Sequence, residues 1–94
     1  MTETQATINA WQLEHFPNAT RIGIETHLSE EFKEFLYHSV TSEEQLVEAA
    51  DIVILLYDWC QRHGFDLHAA IDAKMAVNRN RQWNIQLDGT GRHT

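Results

Sequence analysis

The chain has 94 residues and a formal charge of −7, with 7 Lys and Arg against 14 Asp and Glu. At that length it is one small domain, able to hide about two-thirds of its surface as a monomer, and that charge excludes a protein that grips a nucleic-acid backbone. An apolar share of 43% is ordinary for a globular chain and excludes disorder as the default. Cys60 is the single cysteine, so there is no internal disulfide and a reducing compartment is expected. The start Met1-Thr2-Glu3-Thr4-Gln5 has neither the basic end nor the apolar core of a signal peptide, and no apolar run is long enough to span a bilayer. A soluble, cytoplasmic protein with no membrane partner is the expectation.

In chain order, residues 1–6 are polar and expected to be loose. From Thr7 to Phe16, Ile8, Trp11 and Leu13 line one side of a short helix, which Phe16-Pro17-Asn18 ends, because a residue before proline is pushed out of the helical region. Thr20 caps a second helix to about Ser39, with Leu28, Phe32, Phe35 and Leu36 as its apolar stripe. The column beside that stripe is His27, Glu31, Glu34 and His38. Thr41 and Ser42, each with Glu44 or Gln45 three residues on, carry a capping-box signature for a third helix. Gly64 stops that helix after His63. Asp66 caps a fourth, from Leu67 to about Gln82, with Leu67, Ile71 and Met75 facing inward. The tail, residues 84–94, has turn chemistry and no periodicity. The fold class expected is all-α, an antiparallel bundle of about four helices, and the helices are too apolar for so short a chain to cover alone. An oligomer follows.

The chemistry is concentrated in two acidic pairs. Glu48 and Asp51 stand three residues apart where Ile52–Tyr57 begins, a run apolar on every side and so expected to be buried. Unpaired carboxylates there cost several kcal/mol, so the arrangement asks for a cation. Glu31 and Glu34 form the second pair. One E-x-x-E is usually a solvated face, but two such pairs on antiparallel helices bring four carboxylates together. All-oxygen ligands suit Mg²⁺ or Mn²⁺ and not zinc, and two such ions about 3.5–4 Å apart can hold a phosphate oxygen and activate a water for in-line attack. A di-iron bundle needs Glu-x-x-His on two helices, and the sequence has none. Lys74, Asn78 and Arg81 share one helical face; alone they read as cations complementing a helix C-terminus, but beside a tetracarboxylate site they read as a grip on a polyphosphate. Trp11, Phe16 and Trp83 are able to stack a nucleobase, although packing is the commoner fate of such residues. The six histidines show no ligand spacing, with His27 and His38 the two beside the acidic column. Cys60 reads as a core residue rather than a nucleophile.

Glu30-Glu31-Phe32-Lys33-Glu34 followed by Glu48-Ala49-Ala50-Asp51 resembles the EExxE…ExxD signature of the MazG-like all-α nucleotide pyrophosphohydrolases. The segment Lys74-Met75-Ala76-Val77-Asn78-Arg79-Asn80-Arg81 is similar to the K-M-x-x-N-R-x-R of that superfamily. Trp11–Thr20, His27-Leu28 and Asp88-Gly89 resemble its dATP/dGTP diphosphohydrolase branch of bacteria and phages. The resemblance spans nearly the whole chain. It implies Mg²⁺- or Mn²⁺-dependent hydrolysis of a (deoxy)nucleoside triphosphate, a purine one such as dGTP or dATP, between the α and β phosphates. It further implies Glu31, Glu34, Glu48 and Asp51 as ligands of two or more ions, with Glu34 as the group that orients or deprotonates water. Lys74, Asn78 and Arg81 become phosphate contacts, Trp11 a substrate contact, and the assembly a homodimer or homotetramer. The competing reading is a non-catalytic helical oligomerisation domain that kept the scaffold; the intact acidic set argues against it.

Overall fold

The computed structural model describes residues 2–37 and 42–94. Four helices, α1 (Gln5–His15), α2 (Arg21–Tyr37), α3 (Ser42–Arg62) and α4 (Leu67–Arg79), are followed by a two-stranded hairpin, β1 (Trp83–Ile85) and β2 (Gly91–His93). Both α1 and α2 lie against α3, whereas α4 packs on none of them to a comparable extent. The small core, Ile24, Leu55 and Cys60, sits where α2 and α1 meet α3.

Most boundaries follow local chemistry. Thr4 caps α1 by accepting from the Thr7 amide, while the Thr7 hydroxyl accepts from the Thr4 amide in return, so the helix begins two residues before the expected Thr7. Thr20 Oγ1 accepts from the Gly23 amide at 3.0 Å and starts α2. Gly64 takes φ +73° after α3, the left-handed position that a Cβ disfavours. Asp66 accepts from the Ala69 amide and starts α4. The capping signature at Thr41 and the residue His38 lie outside the described residues. No helix of the described residues is long and apolar enough to cross a membrane.

Three expectations change. The fourth helix stops at Arg79 instead of Gln82, because the Asn80 side chain donates to the Ala76 carbonyl and Trp83 Nε1 donates to that of Asn78. The tail, expected to hold turns without a regular element, forms a hairpin: Trp83 pairs with His93, Asn84 with Arg92 and Ile85 with Gly91. Asp88 Oδ1 accepts from both the amide and the hydroxyl of Thr90, and Gly89 turns the corner at φ +88°. Strands of three residues are too short to show a period. Finally, α3 is not covered all round. Leu46, Val47 and Val53 are exposed, as are Phe32 and Leu36 of the α2 stripe and Ile71 and Met75 of α4, since among the described residues α1 and α2 make most of the contact with α3.

Candidate active site

Three of the four expected carboxylates come together. Oxygens of Glu31, Glu34 and Glu48 lie within 4.8 Å of one another, α2 supplying two and α3 the third. Asp51 stands one turn further along α3, beside this cluster rather than inside it; its charge still acts on Glu48. Glu48 is shifted upward from the ordinary carboxyl range, chiefly by a hydrogen bond shared with Glu31, then by burial, while Glu34 works the other way. Glu31 Oε1 sits 3.1 Å from His27 Nε2, so His27 is a neighbour of the cluster, and Glu31 Oε2 is buried without a hydrogen-bond partner. A buried carboxylate oxygen with no donor is costly. The donor set is all oxygen and hard, and the orphaned oxygen points to a charge that the protein does not itself supply, so the residues fit Mg²⁺ or Mn²⁺.

Next to the cluster opens a cavity of about 710 Å³, a size that suits a small organic ligand. Glu31 and Asp51 stand on its lining. The rest of the wall is Trp11 and Gln12 of α1, the Phe16–Thr20 connection, Gly23, Ile24 and His27 of α2, and Ile54, Leu55 and Asp58 of α3. Trp11 stacks on His15 with ring centres 4.3 Å apart and meets Phe16 edge-on at 5.8 Å, which holds two aromatic faces at the cavity. Gly23 belongs here for a steric reason: a Cβ would come within 3.0 Å of Thr20 Oγ1.

The expected phosphate grip is not brought in by this chain alone. Lys74 and Arg81 are exposed and Asn78 half-buried, and no residue of α4 or of Arg81's segment lines the cavity. The turn at Gly64 carries α4 away from the α1–α3 body, and helical spacing cannot report that departure. Trp83, the third aromatic considered, bonds to the Asn78 carbonyl and belongs to the hairpin.

Several residues of the cavity escaped the sequence reading. Asp58 is 1% exposed and its Oδ1 accepts from Asn9 Nδ2 at 3.0 Å and Arg62 Nε at 2.8 Å. Arg62 also donates to the Phe16 carbonyl at 3.0 Å, which ties the α1–α2 connection to α3. A signal existed: Asp58 continues the Glu48–Asp51 column by helical spacing, and Arg62 follows it by four.

A helical body with a carboxylate cluster at the mouth of a ligand-sized cavity is the arrangement of a metal-dependent enzyme acting on a phosphorylated small molecule. A family model for dATP/dGTP pyrophosphohydrolase matches residues 4–94, and the chain belongs to that family. The dATP/dGTP diphosphohydrolase of Cyanophage S-2L is 35% identical over 91 residues, which cover 97% of this chain and 85% of the relative. That of Salmonella phage PMBT28 is 34% identical over 91 residues, 97% of this chain and 30% of the relative; the chain therefore spans less than a third of that protein. Among solved structures, the Cyanophage S-2L MazG-like pyrophosphohydrolase bound to dGDP and three catalytic Mn²⁺ ions per active site is similar at TM-score 0.78 and 34% identity, over 96% of this chain and 92% of the other.

Proposed function

We propose that this protein hydrolyses a purine deoxynucleoside triphosphate at the bond between the α and β phosphates, giving the monophosphate and pyrophosphate. The carrying observation is the convergence of Glu31, Glu34 and Glu48 at the mouth of a cavity that Glu31 and Asp51 also line. The names and the dGDP and Mn²⁺ content of the cyanophage relative support the reading.

Glu31, Glu34, Glu48 and Asp51 would hold two or more Mg²⁺ or Mn²⁺ ions, which would supply positive charge at the phosphoryl oxygens and acidify a nearby water. Glu34, the most exposed of the three convergent glutamates, accepts the proton of the attacking water. The water oxygen bonds to the α phosphorus, the bridging bond to the β phosphate breaks, and pyrophosphate leaves with the electron pair. Trp11 and Phe16 hold the nucleoside in the cavity and exclude water from one face of it. His27 orients Glu31 through their 3.1 Å contact.

The assembly is a homodimer or homotetramer in which Lys74, Asn78 and Arg81 meet the phosphates from a neighbouring copy. The support is that α4 leaves its own cavity while exposing Ile71 at 44% and Met75 at 39%, an apolar face that a second copy covers. The cytoplasm of a bacterial or phage-infected cell holds the substrate.

Purified protein given each deoxynucleoside triphosphate with Mg²⁺ or Mn²⁺ tests the reaction. Pyrophosphate release is expected; orthophosphate release overturns the cleavage site, and no release from any of them leaves a non-catalytic oligomerisation domain. Mixing Glu34→Gln protein with Lys74→Ala protein tests the assembly. Recovery of activity on mixing is expected where the lysine acts across copies, and additive inactivity overturns it.

A further inference from the structure

We infer that Gln5 is a positioning residue for the triphosphate. Its side-chain amide sets the angle at which α4 leaves the α1–α3 body, and through that angle the reach of Lys74 and Asn78 to the phosphates held by a neighbouring copy. The inference rests on the pyrophosphohydrolase reading, with α4 as its phosphate grip, and deepens it by naming what aims the grip.

Gln5 opens α1, a place where a glutamine ordinarily points into solvent. Here it reaches the corner between α3 and α4 instead. Nε2 donates to Gln61 Oε1 at 2.8 Å and to the Phe65 carbonyl at 2.6 Å, and Oε1 accepts from the Leu67 amide at 3.0 Å. Both amide hydrogens and the oxygen are engaged, which fixes the orientation of the side chain. The Leu67 amide belongs to the first turn of α4, whose donors have no partner within their own helix. One side chain of α1 therefore joins the end of α3, the turn after it and the start of α4.

Packing does not hold the same angle. Among the described residues α4 lies on no helix to the extent that α1 and α2 lie on α3, and Ile71, Met75 and Val77 are exposed along it. Its hydrogen bonds to α1 and α3, among those residues, both fall in its first turn. One joins Leu67 to Gln5; the other joins His68 Nε2 to Tyr57 Oη at 2.7 Å, with the two rings stacked at 5.6 Å.

The fourth helix is thus an arm clamped at its base. Lys74 and Asn78 stand seven and eleven residues beyond Leu67, roughly 10.5 and 16.5 Å along the axis. A tilt of about 10° at the base carries them about 2 and 3 Å sideways. A misplacement of about 1 Å can cost on the order of 10²-fold in rate, so the three bonds of Gln5 govern a distance that matters.

The test is kcat/KM for pyrophosphate release from dGTP with Mn²⁺, for the full chain, Gln5→Ala, Lys74→Ala and the double variant. Gln5→Ala is expected to lose about tenfold or more. The double variant is expected to match Lys74→Ala within about twofold, since Gln5 acts through the arm that carries the lysine. Losses that multiply overturn the inference, being the mark of a corner that only holds the fold. So does Gln5→Ala within about twofold of the unaltered protein. Should Gln5→Ala fail to fold, Gln5→Glu carries the same cycle with the same expected outcomes: its charge suits the N-terminus of α1, but it sets a carboxylate oxygen against the Phe65 carbonyl. Should no triphosphate be cleaved, the function reading fails by itself, and calorimetric binding of inorganic pyrophosphate with Mn²⁺ decides the aim of α4. Weaker binding in Gln5→Ala, with no further weakening when Lys74→Ala is added, supports it; unchanged binding, or losses that multiply, overturn it.

Discussion

Glu48 and Glu31, from two different helices, share a hydrogen bond that holds the Glu48 carboxyl above its ordinary range. When both are ionised neither has a proton to give, and Glu31 Oε2 is left buried without a partner. The cluster is therefore under electrostatic stress that either a proton or a metal relieves.

In the metal-free protein the stability contributed by Glu48 should fade as pH rises, against the opposite trend of Glu25 and Asp88, whose carboxyls are held below their ordinary range. A carboxyl whose folded value is raised binds its proton more tightly in the folded state, so its contribution is complete below the unfolded value, near pH 4.3, and fades as pH climbs through the folded one. Mn²⁺ reverses the trend, because it binds the deprotonated oxygens. Thermal melts from about pH 4 to about pH 7, with chelator and with Mn²⁺, should show Mn²⁺ raising the melting temperature more at the upper end of that range than at the lower. Parallel curves refute the idea.

Replacing one carboxylate relieves the same stress permanently. Glu34→Gln or Asp51→Asn should lower pyrophosphate release by roughly 10²–10⁴-fold, while the chelator-treated protein keeps its helical content and Asp51→Asn, which removes a charge acting against that of Glu48, gains stability. Turnover near that of the unaltered protein in either variant removes the residue from the site.

Arg62 joins a buried carboxylate to the wall of the cavity. Its side chain is 12% exposed and that of Asp58 is 1%, so removal leaves a buried charge unpaired. Arg62→Ala should cost about 3–5 kcal/mol in urea unfolding. Arg62→Lys should recover part of that stability but not the KM for nucleotide, since an ammonium cannot also reach the Phe16 carbonyl in the same fork geometry. A full recovery of both by Lys refutes the positioning role.

Cys60 is buried at 6% exposure, and burial pushes its thiol upward. The thiolate is the reactive form, so a disulfide reagent should modify the folded protein only as fast as it opens. Rapid labelling at neutral pH, at the rate seen in denaturant, contradicts the packing.

Sequence alone settled whatever has a short-range cause. Thr20, Gly64 and Asp66 act on amides or dihedrals within a few residues of themselves, so α2 and α4 begin and α3 ends where their spelling says. The two acidic pairs are likewise a matter of helical spacing, and the meeting of Glu31, Glu34 and Glu48 followed from placing two helices side by side. What covers each face is a different kind of fact. That α4 departs from its own cavity, that residues 83–93 close a hairpin, and that Asn9 meets Asp58 across 49 residues depend on long-range packing. Neither propensity nor period carries that information, because burial is decided by which surfaces the folded chain brings together and not by the residues that form them.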